Sequence, residues 1–290
     1  MNATTTPQTQ YLQLPGGTIA FDDTSGADTS GADASGAGTP GEDVTPVVLL
    51  PGMLEPRASF RYLRPLLLAA GRRVITMDLR GLGESSLAWD DYSPAAIAGD
   101  VIALLDHLGI GRAVLVGHSY TGATVLKAAT TAPEKVAGIV LLNAFVEQPE
   151  AGALKRAMVQ VMGSAVIAFP RFWGFYLNRI AFPTTKPADH AEYIARQVRA
   201  ARTPGRKQAT RGYARGNSAP VGWTEGVRCP ALVVMGAKDP DFTDPELVAD
   251  RQAAALKARK VMIDGAGHYS MTDHPEATAA ALLPFFTEVA

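Results

Sequence analysis

Apolar positions change their spacing several times along the chain. Residues 11–14 and 18–22 flank Pro15-Gly16-Gly17, which predicts two short strands joined by a tight turn. The repeats TSGAD, TSGAD and ASGAG follow. They are too small and polar to bury enough apolar surface to offset their ordering entropy, so residues 24–43 are expected to form a flexible surface loop. From Val47 onward, short apolar runs alternate with helix-length segments. The runs cover residues 47–50, 74–77, 113–116, 138–142, 231–235 and 260–263. Between them lie amphipathic stretches such as residues 97–108, where Ile97, Val101, Leu104, Leu105 and Leu108 share one helical face. This order predicts an α/β fold: a doubly wound, mostly parallel sheet with flanking helices and functional loops at the carboxyl ends of its strands.

The alternation breaks over residues 145–222, which carry helical runs, prolines and the aromatics Phe169, Phe172, Trp173, Phe175 and Tyr176. They are expected to form a helical lid inserted between the two parts of the core, residues 1–144 and 223–290. The aromatics either line a substrate pocket or make up the lid's own core.

Composition narrows the field. A chain of 290 residues, 47% of them hydrophobic, suits one globular domain with an insertion. With 27 basic and 28 acidic residues there is no overall field to hold nucleic acid or an anionic membrane. The first ten residues contain neither a basic cluster nor an apolar stretch, which predicts a cytoplasmic protein without a secretory signal. The greasiest stretch, residues 157–169, is too short to span a bilayer. Cys229 is the single cysteine, so no internal disulfide forms and no zinc cluster is indicated.

The chemistry-bearing segment is Ala113-Val114-Leu115-Val116-Gly117-His118-Ser119-Tyr120-Thr121-Gly122, an apolar strand that meets a serine in a small-residue turn and then a helix. That is the pattern of a nucleophile elbow. A serine hydroxyl is a poor nucleophile at neutral pH and needs a nearby base, and a sharp turn lifts it above the sheet.

Five histidines are available: His107, His118, His190, His268 and His274. His268 follows the last predicted strand in Asp264-Gly265-Ala266-Gly267-His268, where its imidazole can reach over the sheet edge. His107 lies in a helix and His274 precedes a proline. His118 is next to the nucleophile, but adjacent side chains on such a turn diverge, so it is expected to pack or bond locally.

Asp239, in Gly236-Ala237-Lys238-Asp239-Pro240 after another strand, fits the acid that orients the histidine. Asp241 and Asp244 lie in the same loop, where turn formation beside prolines is their simpler role. An oxyanion would be held by the backbone N–H of Tyr120 and of Met53, the latter in the loop Pro51-Gly52-Met53. None of these steps calls for a cofactor or a metal.

Together these segments resemble the α/β-hydrolase superfamily, over nearly the whole chain after the glycine-rich loop. The likeness rests on Leu50-Pro51-Gly52, on Asp78-Leu79-Arg80-Gly81-Leu82-Gly83-Glu84-Ser85, on the elbow and on the order Ser119, Asp239, His268. It implies that the Asp78 to Ser85 segment is structural. Two positions depart from the usual pattern: Pro51 stands where His often precedes the glycine, and Thr121 replaces the second elbow glycine.

The resemblance implies hydrolysis of a carboxylic ester, lactone or related small-molecule acyl compound through an acyl-serine. Arg196, Arg199, Arg202, Arg206, Lys207, Arg211 and Arg215 occupy a stretch without acids. That run suggests a thioesterase or acyltransferase acting on a carrier-bound substrate, or else only a solvated basic face. A ligand-binding module without catalysis is the remaining alternative. A serine at the elbow disfavours the dehalogenases and epoxide hydrolases that share this fold.

Overall fold

The computed structural model describes residues 8–25, 44–146, 170–215, 222 and 224–290. Eight strands form one sheet: β1 (Gln10–Leu14), β2 (Gly17–Asp23), β3 (Val47–Leu50), β4 (Val74–Met77), β5 (Ala113–His118), β6 (Val136–Leu142), β7 (Ala231–Gly236) and β8 (Arg259–Ile263). Their order across the sheet is β1-β2-β4-β3-β5-β6-β7-β8. The β1–β2 and β2–β4 pairs are antiparallel and every later pair is parallel.

The helices are α1 (Leu63–Ala69), α2 (Pro94–His107), α3 (Thr121–Thr131), α4 (Pro170–Arg179), α5 (His190–Ala200), α6 (Arg206–Arg215), α7 (Pro245–Leu256), α8 (Ser270–Asp273) and α9 (Pro275–Glu288). None among the described residues is long and apolar enough to cross a membrane.

The central strands are buried on both faces, which is why they read as unbroken apolar runs. Successive side chains point to opposite sides. Val48, Leu50, Leu115, Ile139, Leu141, Val233 and Met235 meet Ile97, Val101 and Leu104 of α2 and Val125 and Leu126 of α3 on one face. Val47, Leu49, Val114, Val116, Val140 and Val234 meet Leu63 and Leu67 of α1 and Leu282 and Phe286 of α9 on the other. Helix starts follow local chemistry: the Ser93 hydroxyl caps α2 by accepting from the Ala96 N–H, with Pro94 as first residue.

Because β4 lies to one side of β3 and β5 to the other, the chain leaves these neighbours toward opposite faces. The crevice at their carboxyl ends is the topological switch point, where open α/β sheets bind ligands. The Leu50–Gly117 pairing brings the loop after β3 alongside the elbow after β5.

Helices α4, α5 and α6 all lie between β6 and β7 in the chain. The expected flexible loop over 24–43 falls mostly outside the described residues, as does the apolar stretch 157–169 with Phe169. Thr24 corrects the start of that loop. It is buried, and it extends the β2–β4 pairing by exchanging backbone and side-chain hydrogen bonds with Val74.

Candidate active site

Ser119 adopts φ +55°, a left-handed conformation that costs a non-glycine residue energy and places its side chain at the apex of the turn. Its neighbours make room for this. A Cβ on Gly117 would lie 2.4 Å from the Thr121 carbonyl oxygen, and one on Gly122 would lie 2.4 Å from the Ala144 Cβ. Thr121 is fully buried, and its hydroxyl lies 2.9 Å from the carbonyl oxygens of both Leu50 and His118. The close approach usually met at the second elbow glycine is therefore met one residue later, at Gly122. Thr121 instead ties together the ends of β3 and β5.

The structure brings Ser119, His268 and Asp239 together from three loops. His268 Nε2 stands 2.9 Å from Ser119 Oγ, and its Nδ1 donates to Asp239 Oδ2 at 2.8 Å. Asp239 is held from two further directions: the Asp241 N–H donates to Oδ1 at 3.0 Å, and the Asn143 side-chain amide donates to Oδ2 at 2.8 Å. Asn143 also donates to the Gly267 carbonyl, and its own oxygen accepts from Ser270. Burial pulls the His268 pKa down, but the neighbouring Asp239 and Asp241 outweigh it and raise the value to about 9.

Asp241 and Asp244 separate clearly. Asp244 caps α7 by accepting from the Leu247 N–H at 2.9 Å. Asp241 belongs to the site rather than to a turn alone: its Oδ2 lies 3.5 Å from His268 Nε2 and accepts from the Tyr176 hydroxyl at 2.8 Å. Tyr176 thus links α4 to the histidine.

His118 does not bond locally. It is fully buried, and its Nε2–H donates to the His268 backbone carbonyl 2.8 Å away, 150 residues along the chain. Burial, reinforced by the nearby His268 charge, lowers its pKa to about 3, so it is a neutral strut beneath His268. His107 stacks edge-on against Phe21, His190 packs against Phe182, and His274 precedes α9. These three lie outside the Ser119–His268 pair.

The loop after β3 approaches the serine closely. A Cβ on Gly52 would lie 2.9 Å from His118 Nδ1 and 3.1 Å from Ser119 Cβ, so only glycine lets the chain pass without displacement. Met53 follows it, partly buried against the core, and Tyr120 caps the start of α3 directly after Ser119. These are the positions expected for oxyanion donors.

Two residues further on, Glu55 is completely buried. Its carboxylate accepts from the Tyr193 hydroxyl of α5 and, at 3.5 Å, from Tyr269. Burial raises its pKa to about 7 against the opposing effect of those phenols and of Arg61.

A sequence model of the alpha/beta hydrolase family matches residues 47–281. The chain belongs to the alpha/beta hydrolase family. Among its relatives, the dihydrolipoyllysine-residue acetyltransferase component of the acetoin cleaving system of Pseudomonas putida is 30% identical over 84% of this chain, which spans 64% of that protein's length. Epoxide hydrolase A of Mycobacterium tuberculosis is 28% identical over 85% of this chain and 92% of its own length. A thermophilic esterase from Thermogutta terrifontis superposes with a TM-score of 0.72 at 24% identity, over 97% of this chain and 99% of its own.

Within this alpha/beta hydrolase, Asp78 has the structural role that the resemblance implies. It accepts from the backbone N–H groups of Arg57 and Glu84 and pairs with the Arg57 guanidinium. A Cβ on Gly83 would collide with that carboxylate at 2.0 Å. Asp239, Asp241 and His268 also present ligand atoms within 4.8 Å of one another. Each already has a hydrogen-bond or ion-pair partner inside the cluster, as an acid–base pair requires.

Asn143 and Glu55 are the site residues that sequence reasoning missed. A polar residue ending β6 and a carboxylate in the loop after β3 were the available signals, and neither names its partners.

Proposed function

We propose that this hydrolase cleaves a carboxylic ester or lactone through an acyl-Ser119 intermediate, with α4–α6 serving as its lid. The observation that carries this reading is the hydrogen-bonded chain from Ser119 Oγ through His268 to Asp239.

Neutral His268 takes the hydroxyl proton at Nε2 as Ser119 Oγ bonds to the substrate carbonyl carbon. The carbonyl electron pair moves to its oxygen, and the N–H groups of Tyr120 and Met53 stabilise the resulting oxyanion. When the tetrahedral species collapses, the bond to the leaving alcohol breaks and His268 returns the proton to that alcohol. Water repeats the sequence on the acyl-serine and releases the acid. Asp239 keeps the Nδ1–H tautomer and stabilises the transient imidazolium.

Serine also bears on the epoxide-opening relatives. A serine oxygen that opened an epoxide would be left as an ether, which has no carbonyl carbon for water to attack, so turnover would stop. An acyl-serine has that carbon.

The test is covalent labelling by a fluorophosphonate together with turnover of a panel of esters, lactones and acyl thioesters, using wild type and Ser119→Ala. Labelling and turnover should both be lost in the folded variant, down to a residual rate roughly 10³ to 10⁴ above water if the rest of the site acts as in comparable triads. Near-normal turnover by Ser119→Ala would overturn the mechanism. Ligand binding by an unlabelled, inactive wild type would favour the binding-module reading.

A further inference from the structure

Within the basic run 196–215, Arg206 differs from its neighbours. Arg199, Arg202, Lys207 and Arg211 are exposed, and Arg196 pairs with Glu192 and Asp189. Arg206 is only 7% exposed. Its Nε is enclosed without a hydrogen-bond partner, and no carboxylate among the described residues lies within ion-pair distance of it. The field of Asp78 reaches it, but that carboxylate is already paired with Arg57. A buried guanidinium nitrogen without a partner is costly, and an anion bound to this side chain would offset part of that cost.

Arg206 lines a cleft formed with Lys207 and Thr210 of α6, Trp173 of α4, Gln197 of α5 and Leu54. The described walls contain no acidic residue. Trp173 is also buried, and its indole N–H has no partner. Arg206 is the first residue of α6, where the helix dipole adds positive potential.

The cleft adjoins the nucleophile through a short stretch of backbone. Leu54 is two residues beyond Gly52, so their Cα atoms are at most about 7.6 Å apart, and the Cβ position of Gly52 is 3.1 Å from that of Ser119. A substrate that passes Leu54 would reach from the cleft to Ser119.

We propose that this cleft is an anion subsite: Arg206, aided by Lys207 and the Trp173 N–H, holds a carboxylate or phosphate on the substrate while its acyl carbon lies at Ser119. This deepens the acyl-serine reading and rests on it. The anionic group belongs either to a dicarboxylic half-ester or to the phosphate of a phosphopantetheine-type thioester. The recognition chemistry is the same for both.

The experiment measures binding by calorimetry to full-length Ser119→Ala, which holds esters without turning them over. The probes are monobutyl glutarate against butyl methyl glutarate, and S-butyryl-pantetheine with and without its 4′-phosphate. At least one charged probe should bind about ten-fold more tightly than its neutral counterpart, as a charge-assisted contact implies. The preferred pair identifies the source of the anion.

Adding Arg206→Gln should abolish the contrast, and Arg206→Lys should keep part of it. Arg202→Gln removes the same charge from an exposed position and should change the contrast less than about two-fold. Equal binding of charged and neutral probes would overturn the subsite whether or not Arg206→Gln folds, and so would an equal loss from Arg202→Gln. Hydrolysis by wild type without any contrast leaves the acyl-serine reading standing and removes the subsite. A contrast without turnover or labelling by wild type keeps the subsite and removes that reading.

Discussion

Asn143 donates a hydrogen bond to Asp239 Oδ2 at 2.8 Å, from 96 residues earlier in the chain and from a backbone held at φ +48°. Asparagine tolerates that conformation better than most residues do. Its amide shares the carboxylate oxygen that His268 uses, so it fixes where the acid points. In the proposed mechanism Asn143 would be a positioning residue, acting on His268 through Asp239. Asn143→Ala should lower kcat by roughly one to two powers of ten, the equivalent of about 1.5–3 kcal/mol for a hydrogen bond to a charged group. A change in the pH–rate profile should accompany it, which a purely structural defect would not produce. Full kcat with an unaltered profile would remove Asn143 from the site.

In the proposed mechanism the pair of carboxylates around His268 would set the working pH. With its pKa raised to about 9, the imidazole is protonated at neutral pH and cannot accept the Ser119 proton. Turnover should therefore rise with pH along a limb centred near 9. Asp241→Asn removes one of the two raising charges, so the limb should move to lower pH while the maximal rate changes little. Asp239→Asn should instead cut turnover by as much as about 10⁴-fold by favouring the wrong tautomer. Asp244→Asn keeps the helix cap and should do neither. A limb unmoved by Asp241→Asn would show that its 3.5 Å approach has no influence on the base.

Legibility followed burial and chain proximity. Strands β3 and β4 were readable to the residue because both faces are buried, leaving apolar runs, broken at Thr76 alone, that stop at Pro46 and Pro51 in one case and at Arg73 and Asp78 in the other. β5 runs past its apolar run because Gly117 and His118 still pair with Leu141 and Leu142. Ser119, Asp239 and His268, which the structure brings together, each follow a strand in a turn whose composition stands out. Asn143 and Glu55 were not readable, since their importance lies in partners far along the chain: Asp239 for one, Tyr193 and Tyr269 for the other, 138 and 214 residues away. Nothing in Met53-Leu54-Glu55-Pro56 marks a carboxylate that will be wholly enclosed. Asp241 was visible as a residue but not as a neighbour of the base, because the turn that bends it toward His268 depends on the Asp239 side chain accepting its N–H.

Glu55 makes stability depend on pH. Its folded pKa of about 7 exceeds the ordinary 4.5, so between those values the folded chain holds a proton that the unfolded chain has lost. The contribution is complete below 4.5 and disappears as pH rises through 7. Its size is on the order of 3 kcal/mol. His268, raised from 6.5 to about 9, adds a fall of the same sign at higher pH, so the comparison must be with a variant. Glu55→Gln should lose less stability than wild type between pH 5 and pH 8 in urea unfolding. Parallel stability curves for the two proteins would show that Glu55 ionises normally.

Thr121 offers a test of the elbow itself. Restoring the glycine usual at this position would appear to normalise the motif, yet the threonine hydroxyl bridges the carbonyl oxygens of Leu50 and His118. Without it, two buried strand ends lose a shared donor. Thr121→Val keeps the shape and removes the donor, so it should cost about 1–3 kcal/mol in urea unfolding. Thr121→Gly should cost at least as much, since it also frees the backbone in the unfolded chain. Thr121→Ser should stay closest to wild type. Gly122→Ala should be severe, because its methyl would stand 2.4 Å from the Ala144 Cβ and push α3 away from the turn that holds Ser119. If Thr121→Gly proved neutral or stabilising and Gly122→Ala were tolerated, the close packing would not have moved by one residue as the geometry requires.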